Sequence, residues 1–311
     1  MTVLILASVS DIHAQAVMAA LAARGAQAEL VDTSEFPTNL ALSMVFDGER
    51  CFELRRRGGG VLDLNDVHAV WWRRPQPFRL PAGMDATAQE FALSEARTAF
   101  HGLYQSLDAV WINDPARDAV AAHKPYQLTL AQQIGLEIPP TLMTNDVDKA
   151  RAFFRQHDGA LIYKQFLALP NSFRETRRLR PEDEAFADSI ALAPVIFQRH
   201  VPAVADLRVT IVGNEVYAAA TDVRNGDYPH DVRLNLDPKY EPHELPQQVL
   251  DKLHALMGRL DLVYGAIDLR LTPEGRYVFL EINPAGQFLY IEYATGQPIA
   301  AALARQLVRE T

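Results

Sequence analysis

Two carboxylates and an amide, Asp268, Glu281 and Asn283, stand in the stretch AIDLRLTPEGRYVFLEINP, which runs from Ala266 to Pro284. Pro273-Glu274-Gly275-Arg276 reads as a turn between two runs of alternating apolar residues, with Glu274-Gly275 as a two-residue loop. Folding about that loop sets Asp268 directly opposite Glu281, with Asn283 on the same face. It sends Ile267, Leu269, Leu271, Val278, Leu280 and Ile282 to the core. Opposed side chains sit about 4.5–5.5 Å apart at Cβ, and like charges there repel. A hard divalent cation such as magnesium relieves that repulsion, because it prefers oxygen ligands of this kind. Arg270 lies on the same face, so a structural ion pair that neutralises one carboxylate is an equal alternative.

Fixed positive charges stand upstream. Lys164 lies inside the apolar run LIYKQF, where it either faces solvent or serves as a fixed cation for a polyanionic ligand. Lys124, at a helix start after Asn-Asp-Pro, has the same two readings. A polar segment from Asn171 to Asp188 carries Arg174, Arg177, Arg178 and Arg180, followed by Glu182, Asp183 and Glu184, so part of it is a solvated face. Two spaced lysines, an arginine-rich segment and an acid-acid-amide hairpin together are what a triphosphate and its magnesium require. Arg73 and Arg74 follow the paired Trp71 and Trp72. Strand alternation would send the two arginines to opposite faces, so at most one enters a cleft to bind a substrate carboxylate or close over phosphate. Otherwise it pairs with a surface acid. The nine histidines show no metal-binding spacing.

The elements that must position these groups alternate. Val3–Ala7, a helix over His13–Arg24 ended by Gly25, and Ala28–Asp32 form a β-α-β opening, which predicts a parallel sheet. Short strands at Met44–Phe46, Arg50–Arg56 and Gly60–Leu64 follow, with Gly58-Gly59-Gly60 as a hairpin turn, since no Lys-Ser/Thr and no helix come after it. A strand at Ala69–Arg73 and a long amphipathic helix at Gln89–Leu107 lead to Trp111-Ile-Asn-Asp-Pro115, where Asn113 or Asp114 caps the next helix. Helices at Lys124–Ile134 and Asp146–His157, an extended strand after Pro140, and strands at Leu161–Phe166, Val195–His200, Leu207–Val212 and Glu215–Ala220 come next. The chain closes with helices at Leu245–Leu260 and Pro298–Arg309.

At 311 residues the chain is long enough for two or three packed lobes. Its net charge of -9 argues against non-specific nucleic-acid binding. Cys51 is the only cysteine, which excludes intrachain disulfides and cysteine-based zinc sites, and it reads as a small apolar filler. The N-terminal run Thr2–Ser8 is too short to span a membrane and lacks a basic leader, so no membrane association and a cytoplasmic location are expected.

The order Lys124, Lys164, QRHVPAVADLRVTIVGNEVYAA, DVRLN and finally D…ExNP resembles the ATP-grasp ligases over essentially the whole chain. That resemblance implies an α/β fold in which two α+β lobes close on ATP behind an N-terminal pre-ATP-grasp α/β domain. The expected divisions are 1–115, a central lobe 116–195 and a C-terminal lobe 196–311. The stretches ASVSDIHAQAV, VDTSEFP, VWWRRP and FLEINPAGQFLYIEYATGQPI are similar to the branch that macrocyclises ribosomal peptides, the graspetide or microviridin-type maturases.

Carried over residue by residue, the resemblance implies that Lys124 and Lys164 hold ATP phosphates. Gln198, Arg199 and Val201 would form the adenine hinge, and Asp206 would approach the ribose. Arg208 would approach the phosphates or the acyl-phosphate, and Arg233 would stabilise the transferred phosphoryl group, with Asn235 nearby. Asp268, Glu281 and Asn283 would ligate magnesium, two ions with Glu281 as the bridge. The chain departs from the wider pattern at Gln198, where Glu is frequent, and before the hinge, where a glycine-rich loop is replaced by Arg174-Glu175-Thr176-Arg177, with Thr176 as a phosphate contact. The implied reaction activates an Asp or Glu side chain of a precursor peptide, leader plus acidic core, as an acyl-phosphate that a hydroxyl or amine then displaces. The resemblance allows a homodimer. The segments DLRVTIVGNEV and DVRLN also resemble the ligases that add glutamates to protein termini, which supply a second expectation, and an ATP-binding sensor without catalysis is a third.

Overall fold

The computed structural model describes residues 1–166, 177–179, 187–224 and 238–309. The chain opens as expected, with β1 (Thr2–Leu6), α1 (Ile12–Ala22) and β2 (Gln27–Val31) making a parallel β-α-β unit. β1 is buried along Val3–Leu6, and α1 starts where Asp11 accepts hydrogen bonds from the His13 and Ala14 amides. β3 (Leu40–Asp47), β4 (Glu49–Arg56) and β5 (Val61–Asp63) then form an antiparallel three-stranded sheet. The glycine triplet is its second hairpin turn, closed by Arg56 N donating to Gly60 O at 3.2 Å. Cys51 is exposed on β4 rather than filling a core.

β6 (Val67–Trp72), α2 (Ala86–Ser106) and β7 (Val110–Ile112) complete the first parallel sheet in the order β2-β1-β6-β7. Of the two candidates, Asp114 caps α3 (Pro115–Ala121), accepting from the Ala116 and Arg117 amides. Asn113 is buried and has another task, described below.

α4 (Lys124–Ile134) ends at Gly135, whose φ of 79° is the left-handed cap that glycine adopts without strain. β8 (Thr141–Thr144), α5 (Val147–Gln156), β9 (Leu161–Lys164), β10 (Arg177–Arg178), α6 (Ala187–Ile190) and β11 (Val195–Arg199) follow, giving an antiparallel sheet ordered β10-β9-β11-β8. Leu161 and Phe197 on one face of it pack against Ala150, Phe153 and Phe154 of α5.

β12 (Ala205–Val212), β13 (Glu215–Asp222), β14 (Glu241–Pro242), β15 (Tyr264–Leu271) and β16 (Tyr277–Asn283) build the last sheet, ordered β14-β13-β12-β15-β16. α7 (Gln247–Leu260) presses Leu253, Leu256 and Leu260 onto Val209, Ile267, Leu269 and Phe279 of that sheet. Two helices close the chain, α8 (Leu289–Thr295) and α9 (Ile299–Leu307). α8 was not expected: no side chain caps its start, and its one local signal is the stop at Gly296. α9 returns to the beginning of the molecule, and Ile299, Leu303 and Leu307 share one core with Val3, Ile5, Val17 and Leu21. The first sheet and the C-terminal helices are thus packed as one body. Among the described residues no helix is long and apolar enough to cross a membrane.

Candidate active site

The β15–β16 hairpin does oppose the two acids, but its register is built differently from the expected one. Thr272 N donates to Arg276 O at 2.9 Å, so the loop is the three residues Pro273-Glu274-Gly275, with Gly275 at φ 79°. That loop pairs Leu271 with Tyr277 and Leu269 with Phe279, one residue away from the two-residue arrangement. A bulge then inserts Leu280 and restores the pairing of Asp268 with Glu281 and of Ala266 with Asn283. The correction moves Phe279, fully buried, into the core in place of Leu280, which is half-buried.

Each acid is compensated by a different cation. Arg208 lies opposite Asp268 across β12 and β15 and donates from Nη1 to Asp268 Oδ1 at 2.8 Å, while its Nε donates to the Tyr290 hydroxyl at 2.8 Å. Burial works against the Arg208 charge, and Asp268 and Tyr290 outweigh it, so its pKa lies above the ordinary value. Lys124 forms an ion pair with Glu281. One turn further along α4, Gln127 Nε2 donates to Ile282 O at 2.8 Å and its Oε1 accepts from Ile282 N at 3.0 Å. The amide thereby docks the helix onto β16 and aims Lys124 at the neighbouring residue.

Arg270 does not neutralise this pair. Two residues along the same face it meets Asp206 in a second rung, with contacts of 2.7 and 3.2 Å, and donates to Val201 O at 3.0 Å. Asp206 is therefore engaged beside the hinge segment. On the β10-β9-β11-β8 sheet, Gln198 is buried and donates to Thr141 Oγ1 at 2.9 Å, while the Arg199 amide donates to Pro140 O at 2.9 Å. Lys164 pairs with Ile196, and Ile162 with Gln198, so Lys164 and Gln198 share the sheet face opposite to the one packed on α5. Lys124 is thus held at the carboxylates, and Lys164 belongs to the separate β10-β9-β11-β8 sheet.

Arg73 and Arg74 do not diverge. β6 ends at Trp72, so strand alternation no longer applies, and both side chains reach Ala285 O, Arg73 at 2.5 Å and Arg74 at 3.0 Å. His13 packs edge-on against Phe288 and is buried. Burial, with Arg73 close by, lowers its pKa to about 4. Thr176, Arg233 and Asn235, named as phosphate and phosphoryl contacts, lie outside the described residues. Sequence reasoning missed Gln127, Asn113, Tyr290 and His13, because each acts through a partner more than 80 residues away, and Tyr264, whose hydroxyl reaches Gly286 O outside its own hairpin.

Among the described residues no three or more His, Cys, Asp and Glu side chains gather as a metal cage. Two opposed carboxylates with a neighbouring amide still fit magnesium, which is commonly held by one or two carboxylates together with substrate phosphates. Arg208 and Lys124, each set against one of the acids, mark this as a place that draws cationic partners.

Residues 2–119 match the family model described as MvdD pre-ATP grasp domain. No curated protein matches the chain. Among solved structures, the chain is similar to the macrocyclase MdnC of Microcystis aeruginosa MRC, solved bound with precursor peptide MdnA. The identity is 33%, the TM-score 0.91, and 100% of each chain is covered. Macrocyclase MdnB of the same organism is 32% identical, with a TM-score of 0.85 and 99% of each chain covered. A RiPP-associated ATP-grasp ligase of Chryseobacterium gregarium, solved with ADP and a leader and core peptide, is 27% identical, with a TM-score of 0.89, over 98% of this chain and 96% of that one.

Proposed function

The chain belongs to the ATP-grasp ligases that macrocyclise peptides, and from that premise we propose that it closes rings in a ribosomal precursor peptide by activating Asp or Glu side chains with ATP. The observation that carries this reading is the Asp268–Glu281 pair, with one cation held against each acid. Asp268, Glu281 and Asn283 would hold magnesium, two ions on this reading. Bound there, magnesium would neutralise phosphate charge and so reduce the repulsion between ATP and an incoming carboxylate.

The remaining work falls to the chain. Lys164, on the face shared with Gln198, supplies a fixed positive charge to the phosphates, and Gln198 with the backbone of Arg199 and Val201 receives the adenine. Arg208, locked by Tyr290 and Asp268, offers a rigid guanidinium where charge develops on the transferred phosphoryl group. Arg233, Asn235 and Thr176 would add phosphate contacts. A carboxylate oxygen of the peptide bonds to the γ-phosphorus as ADP departs. A Ser or Thr hydroxyl, or a Lys amine, then attacks the acyl carbon; phosphate leaves and the nucleophile gives up its proton.

The test is to search beside this gene for a short acidic peptide rich in Thr or Lys and to incubate it with the protein and Mg-ATP. Ring closure lowers the peptide mass by one water per bond formed. In a parallel incubation that also contains free glutamate, a mass gain equal to an added residue would favour the amino-acid ligase instead. Glu281→Gln should abolish turnover while the protein stays folded, and full activity in that variant would sink the metal assignment.

A further inference from the structure

The backbone beyond Glu281 is gripped almost residue by residue. Gln127 takes both backbone groups of Ile282, and Asn113 Nδ2 donates to Pro284 O at 3.0 Å. Arg73 Nη1 donates to Ala285 O at 2.5 Å and to Gly286 O at 3.0 Å, and Arg74 Nε shares Ala285 O. The Tyr264 hydroxyl donates to Gly286 O at 2.8 Å, and His13 Nδ1 accepts from Phe288 N at 3.4 Å. Four of these side chains, His13, Arg73, Arg74 and Asn113, come from the first sheet and its connections.

The grip ends on a residue of the carboxylate cluster. Ala285 N donates to Asn283 Oδ1 at 3.0 Å, so Ala285 receives the two arginines on its carbonyl and orients the Asn283 amide with its N–H. Gly286 closes the arrangement from the other side. A Cβ there would lie 2.3 Å from the Cβ of Ala266, the cross-strand partner of Asn283, so the loop is pressed onto β15 as closely as a peptide allows.

Arg73 is the anchor of this grip. It is only 1% exposed, and a buried guanidinium is costly unless well paired. Its Nε meets Asp11 Oδ2 at 3.2 Å, and Asp11 uses its other oxygen to cap α1, which ties the arginine to the body of the first sheet. Its fork faces inward onto backbone carbonyls, and Nη2, the one nitrogen without a partner, is itself buried. No substrate approaching from solvent meets this group.

We propose that Arg73 is a positioning residue that fixes Asn283 through Ala285 and so pre-sets the magnesium end of the site. The proposal rests on the reading that Asp268, Glu281 and Asn283 hold magnesium. Removing an outer partner of a metal ligand typically weakens metal binding about 10–100-fold.

The test uses the full chain with Mn2+ as the probe in the presence of AMPPNP, and the free ion is counted by electron paramagnetic resonance. Arg73→Met should weaken Mn2+ binding about tenfold, and Arg73→Lys, which keeps the charge without the fork, by less. The double variant R73M/N283A should bind no more weakly than N283A alone, because the two residues act in series. Unchanged Mn2+ affinity in folded R73M, or losses that simply add in the double variant, overturns the proposal. If R73M does not fold, Arg74→Met, which removes a bond to the same carbonyl, enters the same cycle with an expected loss of about threefold, and an additive result overturns the proposal equally. Wild-type protein that binds no Mn2+ with AMPPNP would overturn the magnesium reading itself, whereas wild-type binding matched by R73M overturns only the role of Arg73.

Discussion

Lys124 and Glu281, 157 residues apart in the chain, form an ion pair whose geometry is set by Gln127 gripping Ile282. The same two side chains are the ones proposed to meet phosphate and magnesium, so loading the site requires them to part. A partly exposed pair of this kind is worth up to ~1 kcal/mol, or about fivefold in an equilibrium constant. Lys124→Met should therefore bind Mn2+ without nucleotide up to about fivefold more tightly than the wild type. It should bind an ATP analogue more weakly, because a phosphate contact is gone. Titration calorimetry reads both affinities; if both weaken, Lys124 only holds Glu281 in place.

The bulge at Leu280 makes a prediction opposite to that of simple alternation. Phe279 is fully buried among Leu253, Leu256 and Ile267, whereas Leu280 is half-buried. Phe279→Ala should cost ~3–5 kcal/mol in urea unfolding, and Leu280→Ala about 1 kcal/mol. Equal or reversed costs would place Leu280 in the core and return the hairpin to a two-residue loop.

That hairpin also marks the limit of what sequence conveys. Turn residues and alternation are local signals, so the first β-α-β unit, the glycine-triplet turn and α4 with its Gly135 stop were all legible. The opposed acids were reached through a two-residue loop and are paired only because the bulge offsets the longer one. Pro-Glu-Gly-Arg is compatible with a loop of either two or three residues, and only packing against α7 decides which of Phe279 and Leu280 turns inward. Arg73 and Arg74 were misjudged because alternation was extended past Trp72, where the strand stops. Gln127 and Asn113 were invisible for a different reason: a buried amide declares itself only through partners 155 and 151 residues away. The roles of Thr176, Arg233 and Asn235 came from family resemblance alone.

His13 supplies a pH dependence whose sign follows from its burial. Its folded pKa is about 4 against an ordinary 6.5, so between those values the unfolded chain binds the extra proton. Stability from this group is complete above pH 6.5 and is lost as pH falls toward 4. Asp11, Arg73 and Arg74 are the charges nearest to it, and the two arginines oppose its protonation. Asp118, raised by burial to about 6, shifts stability the other way over much of the same range. His13→Asn keeps the Asp118 contribution, so subtracting its urea-derived stability curve from that of the wild type isolates the histidine. The difference should fall from pH 6.5 to pH 4, and a flat difference would refute a neutral buried imidazole.

Asn113 satisfies all four of its hydrogen-bonding positions at only 1% exposure. Its Nδ2 donates to Tyr264 O at 2.9 Å and Pro284 O at 3.0 Å, and its Oδ1 accepts from the Val263 and Tyr264 amides, each at 2.9 Å. The side chain thereby ties the end of β7 to the start of β15 and to the loop that follows Glu281. Substitution by Asp is isosteric but places a second carboxylate oxygen against two carbonyl oxygens, leaving both acceptors without donors and burying a charge. Leaving buried polar groups unpaired costs about 1–3 kcal/mol each, and an unpaired charge costs more. Asn113→Asp should therefore destabilise the protein at pH 7 at least as much as Asn113→Ala, by ~3 kcal/mol or more. Lowering the pH should recover part of the loss in the Asp variant as its carboxyl takes up a proton, and none in the Ala variant. Urea titrations of the two variants at pH 7 and pH 5 measure this, and an Asp variant as stable as the wild type at pH 7 would rule out the donor role of Nδ2.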